Sequence, residues 1–205
     1  MILRLEQITR LPKRTHGVFS RDDQKLYSAG VEKLLESWLS MGERYIRTST
    51  DHASNITEVT VNGTIVGTIR PKVHVTKKVL FLPIGYAYDE FVYNGEVYSV
   101  YNSGLGRDQH YISIYKGESV IAVQHRDDLV LDYLGKSTLY AVDAEAMELM
   151  LIYAMYMEAT EFCNLYVEAE RSRQDCSYYT KQKELRDKYD PSFIPRIKAM
   201  EETSE

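Results

Sequence analysis

Four positive charges crowd into residues 70–78, RPKVHVTKK, with no acid among them. Arg70, Lys72, Lys77 and Lys78 could gather phosphate or anionic lipid headgroups, each cation contributing about 1 kcal/mol near a charged membrane. Arg10, Lys13 and Arg14 would widen such a patch. The competing role is a solvated strand edge, where lysines discourage pairing with another chain. Two further stretches, Asp108-Gln109-His110 and His125-Arg126-Asp127-Asp128, set imidazoles beside carboxylates. General acid–base chemistry needs such groups within about 3 Å of a substrate proton. Neighbours along a strand point to opposite faces, so a turn or strand-edge role fits these residues better. Ser103-Gly104-Leu105-Gly106 lacks both GxSxG and a full GxGxxG, and reads as a loop.

Metal and redox signatures are weak. His16, His52, His74, His110 and His125 never pair at ligand spacing and read as surface or loop residues. Cys163 and Cys176 are too far apart for a CxxC pair and read as free thiols in a reducing compartment. No cofactor and no metal is expected. The formal charge of −5 lies in the C-terminal part: residues 143–205 carry a net −6 and residues 1–142 a net +1. That distribution argues against nucleic acid. The N-terminus lacks the apolar core of a signal peptide, so a cytoplasmic location is expected.

The elements that would position these residues start from one unusual stretch. Residues 144–157, AEAMELMLIYAMYM, are apolar on nearly every side. A helix that is apolar all round must be enclosed. Fourteen residues reach about 21 Å, too short for a bilayer, so the enclosure is protein. Asp143 is placed to cap its N-terminus. Glu145 suits the helix dipole, and the rim of the enclosure suits Glu148 and Glu158 because an unpaired buried carboxylate is costly.

The chain upstream reads as strands. Asn62-Gly63 and Asn94-Gly95 favour two-residue hairpin turns, and Lys116-Gly117 is a weaker form of that signal. Further strands are expected near 2–8, 44–49, 73–83 and 128–133, for a total of roughly ten in an antiparallel meander. Pro71 and Pro83 are expected at strand ends. Val31, Leu34, Leu35, Trp38 and Leu39 fall at helical spacing, which predicts an amphipathic helix over 27–41. The helix beginning at 144 is expected to continue past Thr160 as a surface helix, followed by a polar helix over 175–190 that stops at Pro191.

A strand meander closed by a hydrophobic helix resembles the superfamily of tubby C-terminal domains, phospholipid scramblases and LURP-one-related proteins. NGTIVGTIRPK, YISIYKGESVIAVQHR and LYAVDAEAMELMLIYAMYM carry the resemblance, over about residues 59–160. It implies an antiparallel closed β-barrel around a central helix, 144–160, in a domain spanning 1–160, with 161–205 as a C-terminal helical extension. The helix over 27–41 and the long extension depart from that pattern. So does the lack of a Pro-rich leader, a cysteine cluster or an acidic calcium segment, which disfavours lipid scrambling.

Together these readings point to a non-enzymatic binding protein. Its partner would be an anionic lipid headgroup at residues 70–78 or a protein engaged by the C-terminal helices, with the oligomeric state left open. A lipocalin-like barrel with a Tyr-lined cavity and the apolar helix outside is one alternative. A small hydrolase with its site at 103–110 is the other.

Overall fold

The computed structural model describes residues 1–9, 13–79, 82–106, 109–126, 134–160 and 180–203, apart from the side chains of 77–79 and 82–84. Twelve strands run in chain order: β1 (Ile2–Thr9), β2 (Arg14–Phe19), β3 (Lys25–Lys33), β4 (Glu36–Met41), β5 (Arg44–Asp51), β6 (Ile56–Val61), β7 (Thr64–Val79), β8 (Leu82–Tyr93), β9 (Glu96–Gly104), β10 (His110–Lys116), β11 (Ser119–Arg126) and β12 (Lys136–Ala141). Each pairs antiparallel with its sequence neighbours, and β1 pairs with β12 to close the barrel. Closure leaves no free edge around the barrel wall.

The turns carry the expected chemistry. Asn62 and Gly63, like Asn94 and Gly95, all have positive φ. At the β10–β11 turn the central pair is Gly117-Glu118, because Lys116 pairs with Ser119. Only Gly117 takes positive φ there, as in a turn that needs glycine first.

Helix α1 (Ala144–Thr160) fills the lumen. Leu149, Met150, Leu151 and Ala154 are fully buried against Leu5, Val18, Leu39, Ile46, Ile69, Phe91, Ile114 and Leu139 from the strands. The enclosure inferred from the all-round apolar sequence is this barrel. Asp143 caps the helix as expected, its Oδ1 accepting the Ala146 N–H at 2.8 Å.

Three expectations fail. Residues 27–41 form β3 and β4, not a helix. Ala29 and Val31 on one strand, and Ser37 and Leu39 on the other, point inward with strand alternation. Leu35 makes the turn at φ 68°, without the Gly or Asn that would have announced it. Pro71 lies well inside β7, where it pairs with Asp89, not at a strand end. It is tolerated because β6 reaches only Ile69, so the missing donor faces no partner. In the C-terminal part, among the described residues of the expected polar helix only α2 (Lys183–Arg186) is helical, and the helical extension resumes beyond Pro191 as α3 (Phe193–Glu202). Pro195 sits in the first turn of α3, where its missing N–H costs nothing. The strand expected at 128–133 and the helix expected beyond Thr160 lie outside the described residues.

Residues 180–203 dock on the outside of the barrel. Thr180 exchanges two hydrogen bonds with Gly104, and Tyr111 stacks on Tyr189 with centroids 3.9 Å apart. Phe193 and Ile197 join Val123 and Tyr140 in a second, smaller core. The apolar face of α3 is thus spent within the molecule.

Candidate functional site

The basic stretch lies on a ribbon that extends beyond the barrel. β6 stops pairing with β7 at Ile69, and β9 stops pairing with β8 at Asp89. Among the described strands, residues 70–79 and 82–88 consequently pair with each other alone, from Arg70–Glu90 out to Val79–Leu82. This arm has two faces set by strand alternation. Ile69 and Phe91 point into the lumen, so Val73 and Val75 continue the inward side while Arg70, Lys72 and His74 continue the outward side. Val73 is 70% exposed and Val75 46%. On the outward face Lys72 reaches Glu90 at 3.4 Å, and His74 packs against Tyr86. Tyr86 and Tyr88 both rest on Tyr101. Gly85 is required because a Cβ there would run into the His74 carbonyl. Arg70 is exposed, and the side chains of Lys77 and Lys78 lie outside the described residues.

A second concentration of charge lies inside, around the C-terminal end of α1. Glu158 is buried and meets Arg126 at 2.6 Å, Arg14 at 3.5 Å and His16 at 3.5 Å. Burial works against its charge, yet Arg126 and His16 overcome it and hold the carboxyl far below the usual range. Arg14 also donates to the Glu158 carbonyl at 3.4 Å. The last turn of α1 contains no basic residue, so β2 and β11 supply the cations that its negative dipole end favours. Around this group the lumen is polar: Ser37 bonds Thr48, Thr50 bonds Thr57, and Gln124 donates to Ser137.

These contacts correct two expectations. Glu158 is not at the rim, and Arg14 belongs to the lumen rather than to a surface patch with Arg10, which lies outside the described residues. Glu148 does sit near the mouth, held by Arg44 at 2.8 Å and by Tyr93.

No family profile, no curated protein and no solved structure matches this chain. The site must be judged on its own chemistry.

Among the described residues of 103–110, Ser103 and His110 do not converge. Ser103 faces outward and donates to the Leu185 carbonyl at 3.0 Å. His110 faces the lumen and pairs with Asn102 at 2.7 Å. Burial, followed by the nearby Arg126 and His125, pushes His110 down to about 4. Asp108 lies outside the described residues. His16 and His110 are thus interior groups, not the surface histidines the sequence suggested. His125 instead stacks outside on Tyr111 while Arg126 turns inward, the split that strand alternation requires. Asp89 also faces the lumen, taking a 2.6 Å bond from Tyr153; burial raises its carboxyl pKa against that bond. Among the described residues, no three His, Cys, Asp or Glu side chains converge as a metal site.

The sequence reading missed the Glu158 cluster. A signal was present: an acid inside an otherwise apolar helix demands buried cations. Arg14 and Arg126 lie in register with the inward positions Val18 and Ala122 of their strands. The lumen that a ligand-binding barrel would keep open is occupied by α1.

Proposed function

We propose that this is a non-enzymatic, cytoplasmic binding protein that engages anionic lipid headgroups through the β7–β8 arm, in keeping with its resemblance to the tubby and LURP-one-related group. The observation that carries this reading is the composition of the arm. From Arg70 to Tyr88 there is no Asp or Glu, while Arg70, Lys72, Lys77 and Lys78 all fall within it. A ribbon outside the barrel's pairing brings these cations to a flat charged surface without the wall intervening. Glu90 offsets part of the charge at the arm's base. The packed lumen favours an exterior site over an internal one. No helix among the described residues is long and apolar enough to cross a membrane, so contact through the arm would be peripheral.

The test is sedimentation with phosphatidylcholine vesicles, with and without phosphatidylserine. The protein should pellet with the anionic vesicles. R70Q/K72Q should weaken partition roughly 30-fold, at about 1 kcal/mol per cation. Equal partition to neutral and anionic vesicles would overturn the reading.

A further inference from the structure

The valines of the arm ask for a different medium from its cations. Val73 and Val75 share the inward-side face and are exposed. Beyond them the sequence runs Val79-Leu80-Phe81-Leu82-Pro83-Ile84, six apolar residues in succession. Along this run Val79 pairs with Leu82. The two-residue turns at the opposite end of the barrel are Gly42-Glu43, Asn62-Gly63, Asn94-Gly95 and Gly117-Glu118. Those are the types that water-exposed turns favour. Leu34-Leu35 is also apolar, but it works internally: the Leu35 N–H caps the Ala159 carbonyl at 3.1 Å. Tyr45, Ile65 and Val97 are exposed on the barrel wall too, but beside polar turns.

Resting on the lipid reading above, we propose that the arm lies in the interface of an anionic bilayer. Its Val73–Val75 face enters the boundary between headgroups and acyl chains. Arg70 and Lys72 on the other face reach back to phosphate. A ribbon with one apolar and one basic face is the strand counterpart of an amphipathic interfacial helix, which buries its apolar side about 5–10 Å deep. Long cationic side chains extend to the headgroups while their stems stay apolar. Tyr88, part-exposed on the basic face, suits the same depth because its ring is apolar and its hydroxyl polar.

The experiment places a tryptophan at Val75, with E118W at the opposite end as a control. Both positions are exposed, so each variant should melt with its parent. Each is mixed with phosphatidylcholine–phosphatidylserine vesicles containing acyl-brominated lipid, and emission is read against that of native Trp38. The expected result is a blue shift and quenching for V75W and neither for E118W, with binding that persists at raised salt. If the protein pellets but V75W is not quenched, the insertion is wrong and headgroup contact alone remains; cover by the protein's own chain would give that result. If E118W is quenched instead, the opposite end faces the bilayer and the inference falls. If nothing pellets with anionic vesicles, the lipid reading fails and this inference with it.

Discussion

Glu148 and Glu158 lie on one helix, ten residues apart, and the barrel treats them in opposite ways. Glu148 stays near the mouth with a partner, Arg44, whose side chain is 43% exposed. Glu158 is enclosed with Arg14, Arg126 and His16. Water can rearrange around the first group if one member is lost. The second has no such relief, since a buried charge without its partner keeps its full desolvation cost. The contrast shows that a carboxylate's role here is set by the strands opposite it rather than by its neighbours in the chain.

The sharpest way to break the comparison is to remove each acid in turn. Glu158→Ala should cost about 3–5 kcal/mol, because it removes the enclosed carboxylate that Arg14 and Arg126 meet. Glu148→Ala should cost about 1–2 kcal/mol, the loss of hydrogen bonds to a charged group with solvent close by. Urea unfolding of both variants checks this, and equal losses would erase the distinction.

A smaller effect separates the two ends by pH. His110 sits at the Glu158 end with its pKa lowered to about 4, so folded protein resists its protonation. The unfolded chain takes that proton near pH 6.5, so stability from this group is complete above 6.5 and falls as pH drops toward 4. His110→Asn should flatten that part of the stability curve. Glu158 has a depressed pKa, so its contribution is present above the ordinary carboxylate range and is lost only in stronger acid. Urea midpoints measured from pH 7 down into strong acid, about pH 2, would show the His110 limb before the Glu158 limb.

The smallest expected change is at the N-terminal end. Asp143→Ala removes the cap on Ala146 and should cost about 1 kcal/mol, read as a modest fall in melting temperature. A larger loss would mean that α1 depends on its cap more than on its enclosure.

Much of this architecture was legible because its signals are local. All-round apolarity over 144–157 required an enclosure, and Asn-Gly pairs announced two hairpins through their need for positive φ. Asp143 announced a helix start. The turn at Leu34-Leu35 carried no such signal, and the helical spacing of Val31, Leu34, Trp38 and Leu39 came from two separate strands joined by it. On the candidate arm, four cations were legible as a cluster. Their separation from Val73 and Val75 onto opposite faces depended on where β6 and β9 stop pairing.

The chain alone therefore determined that a short apolar helix must be surrounded, that strands would surround it, and that cations would gather at residues 70–78. Only the tertiary structure decided that twelve strands close, that Glu158 is buried with Arg14 and Arg126, and that Ser103 and His110 face away from each other. Each of those outcomes depends on register between segments distant in sequence. Shifting a strand by one residue exchanges its inward and outward sets, and barrel closure selects the register that buries the apolar one.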